Sequence, residues 1–279
     1  MRLAILADIH GNLPALEAVL ADLAPLAVDQ IVVAGDAINW GPFSAQVLER
    51  LGRIDAVALR GNHEFFLLDH GTPREPPAWR DVRSLAWLAR QLDPDWRHHL
   101  AAWPDALSLR YPDAPPVRVV HGVPGNAFAG IYPRTTDDEI RGYLAGVGEF
   151  TIIAAHTHIP LDRVVDGRRV LNPGSVGHAL DGLHRAHYLL LDAADGSWQP
   201  SFRHVPYDTA ALFAEFQRQR FVEECGADAF LIVEEFRRAR PVLCEFRGWH
   251  QETCPDEPFT RALAERFLAE RDAAPPATG

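Results

Sequence analysis

Five short apolar runs in this sequence end in side chains that can bind metal ions. The first run ends at Asp8 and His10, which are one residue apart and followed by Gly11. The candidates at the other four ends are Asp36, then Asn62, His63 and Glu64, then His121, and finally His156 and His158. One Asp or His after a strand is usually a turn residue. Five such ends in succession favour a shared metal site over independent turns.

These residue types fit a pair of transition-metal ions better than a single ion. Leaving Glu64 aside, the set offers eight nitrogen or oxygen donors, whereas one zinc-like ion uses about four. Two ions about 3.5–4 Å apart form the clamp used in phosphoryl transfer, and a carboxylate must bridge them because two dications repel each other. Mixed imidazole and carboxylate donors favour Mn, Fe, Zn, Co or Ni over Mg or Ca. The sequence therefore predicts two divalent transition-metal ions as cofactors, with manganese preferred.

The runs that carry these residues follow a strand–helix rhythm. Stretches rich in β-forming residues recur at 2–7, 30–34, 55–59, 117–120, 151–155 and 187–191. Between the first two, Leu16, Val19, Leu20 and Leu23 form one apolar stripe of a helix. This alternation predicts a mainly parallel sheet flanked by helices. The carboxyl ends of parallel strands share one edge, so we expect the candidates to converge there.

The later chain predicts antiparallel strands followed by helices. Asp166 and Gly167 lie between two β-rich runs, which is a strong signal for a hairpin over residues 162–172. The remaining expectations are strands over 185–192 and 197–205, a helical insertion over 70–105, helices from about 207, and a disordered tail over 272–279.

Composition and charge place the chain among ordinary globular proteins. Of its 279 residues, 47% are hydrophobic and 23% are charged. A net charge of −11 disfavours nucleic acid as a partner. We find no signal peptide and no membrane-length apolar run, and the three cysteines form no CxxC pair. We therefore expect a reduced cytoplasmic protein without a membrane partner, with a homo-oligomer left open.

Taken in order, the strand-end motifs resemble those of the calcineurin-like metallophosphoesterase superfamily. The family pattern is Asp-x-His, Gly-Asp, Gly-Asn-His-Asp/Glu, His and Gly-His-x-His, and the similarity runs over residues 1–205. The stretches "GDAINWGP" (35–42) and "LNPGSVG" (171–177) also look like its small prokaryotic phosphodiesterase branch. The resemblance implies an α/β fold, a four-layer α/β/β/α sandwich of two mixed β-sheets. It places a catalytic domain at 1–205 and a helical C-terminal extension at 206–279.

The resemblance also implies a role for each candidate. The first ion would be held by Asp8, His10, Asp36 and His158, and the second by Asp36, Asn62, His121 and His156. Asp36 would thus bridge the two ions. His63 would face the substrate without binding metal. Glu64 would hold the metal ligands in position without binding an ion itself.

The chain departs from the family pattern at two points. Ala155 replaces the usual glycine before the last histidine pair, a change that strand geometry should tolerate. After "NPGSVG", many relatives continue with Gln-Pro-Arg, whereas this chain continues with His178. A substrate contact from that arginine is therefore not expected here.

The implied activity is hydrolysis of a phosphate ester, and most of all of a phosphodiester. The expected nucleophile is a hydroxide that bridges the two ions, with His63 assisting the leaving group. A small-molecule phosphate ester or a nucleotide is the expected substrate. Phosphomonoesterase, nucleotide phosphatase and non-catalytic metal-binding scaffold stay open as alternatives. The complete donor set disfavours the scaffold, and the lack of Asp-Arg-Gly after Asp36 disfavours protein phosphatases and tetraphosphatases.

Three further residues are substrate candidates, each with an ordinary structural alternative. Trp40 could stack on a base or an aromatic leaving group, or it could pack within its loop. Arg134 could pair with phosphate or stay in solvent. His178 could line the cleft as an additional donor, or it could be a plain loop residue.

Overall fold

Two five-stranded mixed sheets form the centre of the chain. The structure, a computed structural model, describes residues 1–80 and 82–273. The strands are β1 (Arg2–Leu6), β2 (Gln30–Val33), β3 (Val57–Ala58), β4 (Ala106–Tyr111), β5 (Ala114–Val120), β6 (Thr151–Ala154), β7 (Leu161–Val165), β8 (Arg168–Asn172), β9 (Arg185–Ala194) and β10 (Ser197–Pro206). The first sheet has the order β10-β9-β1-β2-β3, and the second has the order β4-β5-β6-β8-β7.

Each sheet has a parallel part and antiparallel strands beside it. In the first sheet β1, β2 and β3 are parallel, and β9 and β10 are antiparallel additions. In the second sheet β5, β6 and β8 are parallel, and the edge strands β4 and β7 are antiparallel. The parallel strands of both sheets carry the candidate donors at their carboxyl ends.

Helices cover the outer faces of the two sheets. Those in the described part of the chain are α1 (Leu13–Leu23), α2 (Ser44–Arg53), α3 (Asn62–Asp69), α4 (Arg83–Gln91), α5 (Pro94–Ala102), α6 (Asp137–Tyr143), α7 (Thr209–Arg218), α8 (Phe221–Cys225), α9 (Ala227–Arg238), α10 (Val242–Thr253) and α11 (Arg261–Ala273). None of these described helices has the length and hydropathy that a membrane crossing needs.

The alternation of side chains along β1 separates the layers. Leu3 and Ile5 join a buried cluster between the sheets that includes Val119 of β5. Ala4 and Leu6 point the other way, into the cluster beneath the helices. This period of two is the geometry of a strand with both faces buried. With α6 on the outer face of the second sheet, the four-layer α/β/β/α fold is confirmed.

The last five helices pack onto the first sheet's helical layer. Leu212, Phe216 and Phe246 belong to the same buried cluster as Leu16 and Val19 of α1. The chain from α7 onwards therefore shares a core with the domain that precedes it. The division into a catalytic domain and an extension at residue 205 stays a prediction.

The predicted hairpin is confirmed. Asp166 and Gly167 connect the antiparallel strands β7 and β8. Their φ angles are 50° and 77°, and positive φ at both central residues is the requirement of a tight hairpin turn.

The structure differs from the sequence-based expectations at two places. The sequence analysis does not predict strand β4, in which Leu107, Leu109 and Tyr111 alternate with more polar residues. The helical insertion before β4 obscures the start of this short edge strand. Disorder from residue 272 onwards is wrong for Asp272 and its neighbour in α11, since Asp272 accepts hydrogen bonds from Arg238. The rest of that expected tail, 274–279, lies outside the described residues.

Candidate metal centre

The structure brings all eight candidate donors together. They follow the ends of five strands, three in the first sheet and two in the second. The two sheets face each other, so these ends meet across the gap. Asp8 Oδ1 lies 3.3 Å from His158 Nε2, and Asp36 Oδ2 lies 3.1 Å from His121 Nε2. Residues up to 150 positions apart in the sequence thereby line one buried site.

Five of the donors have left-handed backbone conformations. The φ angles of Asp8, His10, Asp36, His156 and His158 lie between 48° and 70°. Such conformations cost roughly 1–3 kcal/mol each for residues other than glycine, and they cluster at functional sites. The sharp turn after each strand aims these side chains into the gap.

The first group of donors consists of Asp8, His10 and His158. The Nε2 atoms of the two histidines are 3.1 Å apart, and Asp8 Oδ1 lies within 3.9 Å of both. His158 Nδ1 donates to the carbonyl oxygen of His178 at 2.6 Å. This bond fixes the ring so that Nε2 faces the group.

The second group consists of Asp36, Asn62, His121 and His156. Asn62 Oδ1 lies 2.9 Å from both His121 Nε2 and His156 Nδ1. Asp36 Oδ2 also approaches His10 Nε2 of the first group at 3.8 Å. Asp36 thus faces both groups, which is the geometry a bridging ligand needs, whereas Asp8 Oδ1 of the first group reaches His121 Nε2 of the second at the slightly longer distance of 4.0 Å.

The protonation pattern of the second group leaves a place for a cation. His121 Nδ1 donates to the carbonyl oxygen of Ala34 at 2.9 Å, so Nε2 of a neutral ring carries a lone pair. That lone pair faces the oxygens of Asn62 and Asp36. Burial lowers the pKa of His121, but the Asp36 carboxylate raises it to about 10 overall, so without an ion a proton on Nε2 takes the place that a cation would occupy. The converging acceptors therefore attract positive charge.

A buried carboxylate oxygen in the first group also indicates a site for a cation. Asp8 Oδ1 is buried and has no hydrogen-bond partner among the described residues. An unpaired buried carboxylate oxygen is costly, and a metal ion would satisfy it. Imidazole, carboxylate and amide donors suit a divalent transition metal, so the residues present fit such ions.

Glu64 holds the loop that carries Asp36 in place. Its carboxylate accepts hydrogen bonds from the backbone N–H groups of Asp36, Ala37 and Gly61 at 2.7–2.9 Å. Asp36 Oδ1 in turn accepts from the N–H of His63 at 2.8 Å, at the start of α3. Glu64 thus orients Asp36 through the backbone. Burial raises the pKa of Glu64 to about 7, with the Asp36 charge acting in the same direction.

The loop that contains "NPGSVG" fixes the turn after β1. Ser175 Oγ and the N–H of Gly177 both donate to the carbonyl oxygen of Asp8, at 2.7 and 3.0 Å. Asn12 caps α1 with its Oδ1 and donates through Nδ2 to the carbonyl oxygen of Gly177. A Cβ at Gly177 would lie 1.7 Å from the carbonyl oxygen of Ile9. Only glycine fits against this turn.

We expect Gly177→Ala to destabilise the protein and to displace the turn that carries Asp8 and His10. Overpacking of this kind lowers the free energy of unfolding by about 1–3 kcal/mol. Gly52→Ala is the matched control, since nothing lies within 4 Å of its Cβ position in α2. Urea denaturation of both variants checks the prediction, which fails if the two variants are equally stable.

His63 and Trp40 lie against the first group. The ring of Trp40 stacks on His10 with 4.7 Å between centroids, and it meets His63 edge-on at 4.5 Å. His63 Nε2 is 3.9 Å from Asp36 Oδ2. Burial lowers the pKa of His63 to about 4 despite the opposing effect of Asp36. His63 is therefore a neutral imidazole here, whereas an acid role requires the protonated form.

His178 lies behind the first group and contacts the C-terminal helices. It is buried, its Nδ1 is 3.2 Å from His158 Nδ1, and its Nε2 is 3.4 Å from Glu235 Oε2 in α9. Glu235 is also buried and accepts from the N–H of Leu243 at 2.9 Å. Sequence reasoning missed Glu235, although an acidic residue on the apolar stripe of α9 was a signal of an acid with a buried partner.

Arg134 lies at the surface of the protein, whereas Ala155 lies in the core. Arg134 is exposed, with its guanidinium 5.2 Å from the centroid of the Tyr132 ring. A phosphate contact by Arg134 stays a prediction. Ala155 is buried, and its φ is not in the left-handed region, so a Cβ is accommodated where relatives have glycine.

Comparisons with known proteins agree with this geometry. A family model for the calcineurin-like phosphoesterase superfamily domain matches residues 1–196. The crystal structure of a metallophosphoesterase from Sphaerobacter thermophilus aligns with 86% of this chain and 100% of its own, with a TM-score of 0.68 and 26% sequence identity.

Two curated relatives match shorter segments. Phosphodiesterase YfcE of Escherichia coli (strain K12) is 39% identical over 72 residues, 22% of this chain and 39% of its own length. The symmetrical bis(5′-nucleosyl)-tetraphosphatase of Acidovorax ebreus is 34% identical over 153 residues, 53% of this chain and 50% of its own. The matches thus span half or less of these relatives.

The family match contains every candidate donor. All eight lie within residues 1–196, which make up more than half of the chain. The match is thus to the part that builds the candidate metal centre. Members of this family depend on divalent metal ions, in agreement with the clustered donors. On this evidence the chain belongs to the calcineurin-like phosphoesterase superfamily.

Proposed function

We propose that this protein hydrolyses phosphodiesters with two divalent transition-metal ions, manganese being the best match to its donors. The observation that carries the proposal is Asp36, whose carboxylate faces two groups of donors at once. The resemblance of the whole motif set to metal-dependent phosphoesterases supports it. A small-molecule or nucleotide substrate fits the buried donors better than a nucleic acid duplex.

Each donor has a proposed place. Asp8, His10, His158 and Asp36 would hold one ion, and Asp36, Asn62, His121 and His156 would hold the other. When bound, the ions supply positive charge for the phosphoryl oxygens and lower the pKa of a water molecule to about 7. The strained turns and the Glu64 hydrogen bonds keep the donors oriented before any ion binds.

His63 is proposed to assist the leaving group. It is buried next to Asp36 and open to a cavity on its other side. Its neutral imidazole donates one N–H hydrogen bond. The negative charge of a bound phosphate would raise its pKa, as the Asp36 carboxylate already does. His63 can then pass a proton to the departing oxygen.

We expect a preference for diesters over monoesters. A monoester carries nearly two negative charges at neutral pH, and sites for it usually add arginine donors. Here Asp36 is followed by Ala37 rather than by an Asp-Arg-Gly, and Arg134 rests on Tyr132. The check is kcat/KM for bis-p-nitrophenyl phosphate and p-nitrophenyl phosphate on one Mn²⁺-loaded preparation. A tenfold preference for the monoester would overturn the proposal.

A nucleotide phosphatase is the second candidate function. It is favoured by the match to a bis(5′-nucleosyl)-tetraphosphatase over 53% of this chain. A dinucleoside tetraphosphate added to the same panel separates the two candidates, since a phosphodiesterase should hydrolyse it more slowly than bis-p-nitrophenyl phosphate. The intact donor set argues against a non-catalytic scaffold.

A further inference from the structure

A cavity of about 400 Å³ opens directly beside the candidate metal centre. This volume lies within the range of small-molecule binding sites. His63 and Trp40 line the cavity, and both rings pack against His10 with centroids 4.7 Å away. A phosphate held by the donors would therefore have one ester group next to the cavity mouth.

The walls of the cavity suit a planar ring. Trp40, Phe66 and Trp79 contribute aromatic surface, with Phe66 and Trp79 meeting edge-to-face at 4.4 Å. Ile232 of α9 and Leu243 of α10 contribute aliphatic surface. Aromatic side chains bind flat rings by stacking or by edge contacts. The helices α9 and α10 lie beyond residues 1–196, so this wall is additional to the family domain.

Two charged residues give the cavity a polar side. Asp228 is half-buried, and its carboxylate accepts no hydrogen bond from the described residues. Burial raises the pKa of Asp228, and the charge of Arg247 acts in the opposite direction. Arg247 is exposed and also lines the cavity. One free acceptor and one donor thus accompany the aromatic surface.

We propose that this cavity binds the leaving nucleoside of a phosphodiester substrate, an inference that rests on the phosphodiesterase function proposed above. A nucleobase is flat and uncharged and carries both N–H donors and ring acceptors, which match Asp228 and Arg247. An alkyl chain would leave the half-buried carboxylate of Asp228 without a hydrogen-bond donor. A second phosphate would meet the carboxylate of Asp228.

The corresponding step is a simple hydrolysis. The oxygen of water forms the new bond to phosphorus and loses its proton to solvent. The bond between phosphorus and the nucleoside oxygen breaks, and that oxygen takes a proton from His63, which regains one from solvent. The products are a free nucleoside, which leaves through the cavity, and a phosphomonoester. No oxidant, reductant or further reactant is involved.

The products from adenosine 5′-(methyl phosphate) test the orientation. Binding of adenosine in the cavity predicts adenosine and methyl phosphate as the main products. Adenosine 5′-phosphate and methanol as the main products would overturn the inference. Bis-p-nitrophenyl phosphate on the same preparation tests the underlying function separately, since loss of all diester hydrolysis would count against that function alone.

Calorimetry of adenosine binding tests the cavity without turnover. Asp228→Asn should weaken adenosine binding by about tenfold through the loss of a charged acceptor. Asp256→Asn, an exposed carboxylate in the same C-terminal segment, should leave it unchanged. Arg247→Gln, at an exposed position, should also weaken binding and serves if Asp228→Asn does not fold. Binding that is the same in all three variants, or benzyl alcohol binding as tightly as adenosine, would overturn the inference.

Discussion

Asp36→Asn is expected to abolish activity and to release both metal ions. The carboxylate faces two groups of donors, and its Oδ2 is 3.1 Å from His121 Nε2 and 3.8 Å from His10 Nε2. An asparagine at this position can still accept from the His63 N–H through Oδ1, so the start of α3 should survive. It lacks the negative charge that would lie between the two proposed dications. We expect kcat to fall by at least roughly 10³-fold.

A matched control is available for this substitution. Asp55 is exposed and has φ of 52°, close to the 54° of Asp36. Asp55→Asn therefore repeats the chemical change in the same backbone conformation, away from the site, and should retain metal and activity. Metal content by elemental analysis after dialysis gives the comparison. An Asp36→Asn protein that retains two tightly bound ions would refute the bridging role.

His63→Ala is expected to keep both ions and to lower kcat by roughly 10²–10⁴-fold, the range of a general acid. His63 lies next to the carboxylate of Asp36 and the ring of Trp40. Its proposed role is to donate a proton to the substrate, and it is not a proposed metal ligand. The loss should shrink for a nitrophenolate leaving group, which hardly needs a proton.

A second variant separates proton transfer from hydrogen bonding. His63→Asn keeps a side-chain N–H donor but cannot deliver a proton. If His63 acts as an acid, the two variants are equally slow on an alkyl diester. Recovery of activity in His63→Asn, or an equal deficit for good and poor leaving groups, would show that hydrogen bonding to the phosphate is its whole contribution. The pKa of about 4 that burial imposes on His63 makes this distinction necessary.

The strand-end motifs were readable from sequence because their geometry is local. Asp8 and His10 follow β1 directly, and the turn that aims them spans three residues. The hairpin at Asp166 and Gly167 is equally local, since its φ angles follow from its residue types. Convergence of the ends then follows from the parallel arrangement of the strands.

The features that sequence did not reveal depend on contacts between distant segments. Glu235 meets His178 across 57 positions, and no spacing rule links an acid in α9 to a loop after β8. The cavity likewise joins Trp40 to Leu243 from opposite parts of the chain. The lowered pKa of His63 comes from its burial among His10, Trp40 and Phe66. Such properties become visible only when the packing is known.

The most direct test of the two-metal account is titration of the metal-free protein with Mn²⁺, followed in parallel by bound metal and by hydrolysis of bis-p-nitrophenyl phosphate. The account predicts two bound ions per chain at saturation and activity that rises with the second equivalent. Saturation at one ion per chain, or full activity after exhaustive chelation, would contradict it.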